Sequence, residues 1–172
     1  MKKKIYLLLL TLSMPFIGSS QVYDNFKITE HKVEWEKIFD TGLGIDSLKT
    51  RYMKDVIDFN NITDYTLTGD KIIIKAKDVR VHDMGYPINY VAVVYFKDNR
   101  YKVDVNEIWI NTENSSLGGF STGNIMIETY LLKSKNTKWK SSSSVKKIKT
   151  KLNAHFLKSY QMPVNPIKSD DW

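Results

Sequence analysis

The chain has 172 residues, no cysteine and a formal net charge of +7. The lack of cysteine excludes disulfides and thiolate metal sites. The length suits one domain with its own core, and so mild a positive charge does not argue for nucleic acid.

Met1-Lys2-Lys3-Lys4 precedes the apolar run Ile5 to Ile17, and Gly18-Ser19-Ser20-Gln21 follows. A basic head, a short apolar stretch and small residues at the end are the pattern of a secretory signal peptide. Residues 1–20 are therefore expected to be removed, with cleavage after Ser20. The apolar run is shorter than the about 20 residues needed to span a bilayer, which leaves an uncleaved anchor as the alternative to cleavage. Without cysteine, the export is not of the lipoprotein type. The product, residues 21–172, would be a single periplasmic or secreted domain. It would carry a charge of +4 once Lys2, Lys3 and Lys4 are gone.

Val22 to Lys32 reads as a polar lead-in. Val33-Glu34-Trp35-Glu36-Lys37-Ile38-Phe39 alternates and predicts a first strand. After Gly42 and Gly44, Leu48, Tyr52, Val56 and Phe59 recur at helical spacing. They predict a helix over 47–59, capped by Asp46 or Ser47. Asp46-Ser47-Leu48 also matches a short acceptor motif for O-glycosylation, although capping is the simpler reading. Tyr65 to Ile74 predicts a tight hairpin with Gly69 leading a type II′ turn. Its pairing sets Leu67 opposite Ile72 and Tyr65 opposite Ile74, all on one face.

Tyr90 to Trp109 predicts a second hairpin, turning at Asp98-Asn99 in a type I′ geometry. Phe96 then faces Tyr101, Val94 faces Val103, and Ala92 faces Val105. These form a core face, and a slip of one residue would expose all of them. The other face pairs Tyr95 with Lys102, Val93 with Asp104, and Val91 with Asn106. It is half apolar and half charged. Asn111 to Asn124 is a long polar loop, and 125–132 fits either an edge strand or a helical turn. Val145, Ile148, Leu152 and Phe156 predict a helix over 143–160, capped by the serine run Ser141 to Ser144. Pro163 and Pro166 keep the tail from continuing it.

The order strand, helix, four strands, helix argues for an α+β domain. The expected form is an antiparallel sheet of about five strands with two helices on one face. In the segment Tyr95-Phe96-Lys97-Asp98-Asn99-Arg100-Tyr101-Lys102-Val103, the chain resembles a family of exported bacterial proteins of unknown function with a TBP-like fold. The family typically has an aromatic-Lys-Asp-Gly-Arg-Tyr turn, and here Asn99 takes the place of glycine. The upstream hairpin at Gly69-Asp70 and the leader agree with it. The resemblance implies the fold and export. It implies no catalytic residue, and a fold name does not imply DNA binding.

Candidate chemistry is sparse. Gly119-Phe120-Ser121-Thr122-Gly123 matches G-x-S-x-G, with Glu128 and His155 following in hydrolase order. The buried strand and following helix that such an elbow requires are not predicted here. Ser143-Ser144-Val145-Lys146-Lys147 contains S-x-x-K, but the companion motifs are absent. His31, His82 and His155 lie far apart without metal-ligand spacing, so no metal and no cofactor is expected. Arg80, His82 and Tyr86 lie in a polar loop able to meet a carboxylate or a sugar, though an ordinary connection explains them. Lys138, Lys140, Lys146 and Lys147, near Trp139, offer weak contact to an anionic surface, but a solvated helix face is the simpler reading.

The residues favour a non-enzymatic binding module of the cell envelope, using Val91, Val93, Tyr95, Lys102 and Asp104 toward a protein or envelope component. The alternative is a small-molecule or lipid carrier with a pocket between the sheet and the long loop. An esterase is third.

Overall fold

Two-residue periodicity recurs along the chain, and the computed structural model turns it into one sheet. It describes residues 25–60, 62–112, 123–133 and 138–163. The expected leader, most of the segment 111–124 including Ser121, and the residues after 163 lie outside the described residues. The strands are β1 (Phe26–Thr29), β2 (Lys32–Asp40), β3 (Tyr65–Thr68), β4 (Lys71–Val79), β5 (Ile88–Lys97), β6 (Arg100–Asn111) and β7 (Asn124–Met126). All neighbours run antiparallel in the order β1-β2-β6-β5-β4-β3, and β7 pairs with the far end of β6. The helices are α1 (Ile45–Tyr52), which continues as a wider π turn over Met53–Asp58, then α2 (Ile127–Leu131) and α3 (Ser143–Tyr160).

The α+β class and the antiparallel sheet stand, but the sheet has seven strands among the described residues rather than about five. One extra strand lies in the supposed lead-in. Its turn, Glu30-His31, places both residues at positive φ (47° and 69°) with no glycine or asparagine to signal it. The other extra strand resolves the ambiguous segment 125–132, which is both things: the short β7, then the short α2.

Both predicted hairpin registers are present. Tyr65 pairs with Ile74 and Leu67 with Ile72. Phe96 pairs with Tyr101, Val94 with Val103 and Ala92 with Val105. The turn geometry at Asp98-Asn99 differs from type I′, since only Asn99 has positive φ (66°). Asp98 has another task. Its Oδ1 accepts from the Ile45 N–H at 3.0 Å and so supplies the first turn of α1 with an acceptor. Neither Asp46 nor Ser47 caps α1, whose N-cap is Gly44 with no side-chain bond.

The π turn changes the helix stripe. Leu48, Tyr52 and Val56 are buried as expected. A wider turn advances the phase, so Ile57 takes the next inward place and Phe59 turns out, 79% exposed. By contrast, α3 keeps its predicted bounds. Ser142 caps it, accepting from the Val145 N–H at 3.3 Å. Val145, Leu152, Phe156 and Tyr160 face the sheet.

The core lies between the helices and one sheet face. Phe156 packs on Trp35 and Tyr90, with ring centroids 5.4 and 5.1 Å apart. Asn153 fixes α3 over β2, since its Oδ1 accepts from Trp35 Nε1 and from Asn25 Nδ2, both at 2.8 Å. At the far end of α3, Tyr101 Oη donates to the Tyr160 carbonyl and accepts from the Met162 N–H, each at 3.0 Å. Tyr65 and Leu67 share this face but stay exposed, because the helices do not extend over the edge strand β3.

Candidate functional site

Alternation sends every second side chain of the sheet away from the helices. On that outward face the register brings together the five residues singled out from the sequence. Tyr95 stands opposite Lys102, Val93 opposite Asp104, and Val91 opposite Asn106. The neighbouring strands complete each row. Lys71 and Ile38 flank the first row, Ile73 and Glu36 the second, and Lys75 flanks Val91. Val91, Val93 and Ile73 are half-buried, while Tyr95 and Ile38 are exposed by 42% and 48%. The result is an apolar strip along β5 and β4 beside a charged strip along β6, β2 and β1.

The charged strip is one network. Lys27 Nζ lies 2.7 Å from Glu36 and 3.5 Å from Glu34. Lys102 Nζ lies 2.8 Å from Asp104 and 3.5 Å from Glu36, and sits 5.0 Å from the Tyr95 ring centre. Lys102 thus joins the ion pairs to the aromatic strip by a cation–π contact. Glu36 and Asp104 are direct cross-strand partners of like charge, an arrangement that costs free energy unless cations offset it.

The two carboxyls divide that strain. The hydrogen bond from Lys27 holds Glu36 below the ordinary carboxylate range, with Lys102 adding to it. Burial pushes Asp104 above that range; Lys102 pulls it down, and Glu36 pushes it up again. Burial also opposes the charge on Lys102, but the pull of Asp104 and Glu36 outweighs it and raises its pKa. Asp104 Oδ1 is buried without a hydrogen-bond partner among the described residues.

Toward the other end of the sheet the face changes character. Asp78 (φ 51°) and Glu107 (φ 49°) form bulges on either side of β5. Uninterrupted alternation would carry Trp109 into the core. The Glu107 bulge instead sends Ile108 and Ile110 inward and leaves Trp109 half-buried on the open face, opposite Met126. Amides tie this end together. Asp78 N–H donates to Asn89 Oδ1 at 2.7 Å, Asn111 Nδ2 donates to Asp78 Oδ1 at 2.7 Å, and Asn89 Nδ2 donates to Asn124 Oδ1 at 3.2 Å.

Arg80, His82 and Tyr86 belong to the β4–β5 loop, away from Tyr95 and Lys102. Arg80 and Tyr86 line a depression of about 370 Å³. The His82 side chain is 95% exposed and lies 3.1 Å from the carboxylate of its neighbour Asp83. The structure therefore separates this trio from the open face and does not converge all three side chains. Lys138, Lys140, Lys146 and Lys147 are exposed around the start of α3. Lys140 is engaged with the Thr129 carbonyl, and Lys149 lies 4.1 Å from the Trp139 ring centre.

The acid and the histidine that follow the G-x-S-x-G motif, Glu128 and His155, have other occupations. Glu128 is buried and accepts from the Val33 N–H at 2.8 Å, closing the gap along β6 between the start of β2 and the end of β7. His155 packs against Tyr90 and Phe156, and burial, then Lys158, keeps its pKa low. It borders a cleft of about 450 Å³ between α3 and β4. Among the described residues no cluster of His, Asp or Glu suits a metal ion. Among the same residues no helix is long and apolar enough to cross a membrane.

Sequence reasoning missed Lys27, Glu36 and Ile38 as members of this face. The alternation of β2 already separated Glu36 and Ile38 from Trp35. Nothing in it said that β2 would lie beside β6, and β1 was unrecognised.

No family model matches the chain, and no curated protein does. Among solved structures, the chain is similar to a DUF4468 family protein from Bacteroides ovatus. They share 13% identity, with 82% of this chain and 94% of that one covered at a TM-score of 0.48. It is also similar to a TBP-like protein from Parabacteroides distasonis at 10% identity, with 77% and 92% covered and a TM-score of 0.49. A domain family of unknown function and a TBP-like fold are what the Tyr95–Val103 turn resembled, and these two neighbours carry those descriptions.

Proposed function

We propose that the chain is a non-enzymatic binding module that acts after export and receives a protein partner on the open sheet face. The observation that supports this reading is the pairing of an apolar strip, Val91, Val93, Ile73 and Tyr95, with a charge network on the same sheet face, which no described helix covers. A partner with an apolar ridge would bury the strip. Its flanking charges would meet Lys102, Glu34 and Glu36, giving register to the contact. The carboxylates Glu34, Glu36 and Asp104 oppose a phosphate backbone, so nucleic acid is not the ligand proposed.

The test is the double variant Tyr95→Ala, Val93→Ser. Both side chains lie on the outward face, so the far-UV spectrum and cooperative melt are expected to persist. A photoreactive residue at position 95 should cross-link one discrete envelope protein in producing cells. The same protein should be lost from the double variant in affinity capture. Unfolding of the double variant would show that the strip is core. Equal capture by both forms would remove the face from the contact.

A further inference from the structure

The end of the sheet at β3 has a specific geometry. Among the described residues β3 pairs with β4 alone. Thr68 pairs with Lys71 across the two-residue turn, and the Asp64 carbonyl accepts from the Lys75 N–H. The peptide groups of Asp64, Thr66 and Thr68 therefore point into the sheet, and those of Tyr65 and Leu67 point outward. Protein edges are commonly guarded by charge, proline or a bulge. Tyr65-Thr66-Leu67-Thr68 has none of these. The opposite edge, β1, carries Lys27 in the ion-pair network.

We propose that β3 is a self-association edge, on which a second copy of the chain pairs antiparallel about a two-fold axis through Thr66. Two requirements set this register. Outward peptide groups must meet outward peptide groups, and opposed side chains must share a face. Tyr65 against Leu67 of the second copy, and the reciprocal pair, meet both requirements and form hydrogen-bonded pairs on each side of the axis. Thr66 then faces its own copy. Moving the axis to Leu67 would set Tyr65 against Gly69 and lose the side-chain contact.

The side chains agree with this choice. Tyr65 and Leu67 lie on the helix side of the sheet yet are exposed by 38% and 52%. Pairing would gather both copies of each into one apolar cluster. Thr66 meets Thr66 on the opposite face, a favourable cross-strand pair. The axis is perpendicular to the sheet, so the two open faces point the same way. A strand contact this short covers less than the roughly 1,200 Å² of a standard interface, which makes the dimer weak and concentration-dependent. The inference stands apart from the proposed function, because it needs no partner other than the chain itself.

The absence of cysteine makes single cysteines clean reporters. At Thr66→Cys the proposed axis places the two Cα atoms about 4.5 Å apart, as in a non-hydrogen-bonded antiparallel pair, within disulfide range. At Thr68→Cys the symmetry mates lie four residues apart along the strand, roughly 13 Å, beyond that range. Copper–phenanthroline oxidation of the folded full chain should convert Thr66→Cys to a covalent dimer and leave Thr68→Cys monomeric. Sedimentation equilibrium of the parent should show a dimer fraction rising with concentration. Thr66→Lys, which opposes two ammonium groups, should lose that fraction with an unchanged far-UV spectrum. The proposal is overturned by equal cross-linking at 66 and 68, by no cross-link at 66, or by a parent that stays monomeric up to ~1 mM, where even a contact below standard size should register.

Discussion

Tyr101→Phe removes one oxygen atom and tests how the end of α3 is held. The ring is 1% exposed, stacks on Phe39 at 4.8 Å and meets Tyr52 edge-on at 5.1 Å. Phenylalanine retains those contacts. What is lost is the hydroxyl, which donates to the Tyr160 carbonyl and accepts from the Met162 N–H. Both backbone groups sit in residues buried at the helix terminus, where the last carbonyls have no helical partner. Each buried group left unpaired costs about 1–3 kcal/mol, so the pair should cost about 3 kcal/mol. For a domain of this size that corresponds to a fall in Tm of roughly 6–12 °C.

Tyr90→Phe is the control. It removes a single hydroxyl–hydroxyl bond of 3.2 Å to Tyr160, worth about 1 kcal/mol. Urea unfolding of parent and both variants measures the difference, with the slope m expected to stay constant. A Tyr101→Phe midpoint equal to that of Tyr90→Phe, or within about 0.5 kcal/mol of the parent, would refute the latch. The alkaline limb gives a second reading. Burial pushes the Tyr101 hydroxyl up to about 12, against the ordinary 10.0. A pKa raised by folding contributes stability that is complete below the unfolded value and lost as pH climbs through the folded one. The parent should therefore weaken between these two values, and Tyr101→Phe should weaken less steeply over the same interval. Tyr52, Tyr90 and Tyr160, also raised by burial, keep part of the slope in both.

Two further predictions concern carboxyls. Glu128→Ala should leave the Val33 N–H unpaired in the core and lower stability by about 2–4 kcal/mol, while Glu128→Gln keeps the acceptor and should lose far less. Equal melting temperatures for the two variants would show that this bond is not what Glu128 contributes. Asp104→Asn tests the strained carboxylate pair. Folding raises the Asp104 pKa, so its contribution is complete below the ordinary 3.8 and declines as pH rises through the folded value. The melting temperature of Asp104→Asn relative to the parent should therefore rise across that window and level off above it. Glu36, whose pKa is lowered chiefly by the hydrogen bond from Lys27, acts with the opposite sign. A relative stability that is flat with pH, or falls, would contradict the assignment.

The open-face reading and the β3 dimer are independent of these stability tests. One is read by capture at position 95, the other by cysteine cross-linking at position 66.

The sequence alone determined the local geometry of this protein. Strict alternation around Asp98-Asn99 and Gly69-Asp70 specified both hairpin registers, because a two-residue turn permits one pairing. The same alternation separated Phe96, Val94 and Ala92 from Tyr95, Val93 and Val91. The spacing of Val145, Ile148, Leu152 and Phe156, with the serine run before it and Pro163 after it, placed α3 at the bounds it has. Tertiary structure decided what no local pattern carries. Which strands become neighbours depends on long-range packing, so the network of Lys27, Glu36, Lys102 and Asp104 came into view only when β2 lay against β6. The bulges at Asp78 and Glu107 and the π turn at Met53–Asp58 each shift the side-chain phase by one position. Each moved a residue across the boundary between core and surface, and none has a glycine or proline to announce it. Periodicity says which side chains share a face; only the assembled sheet and helices say which face is covered.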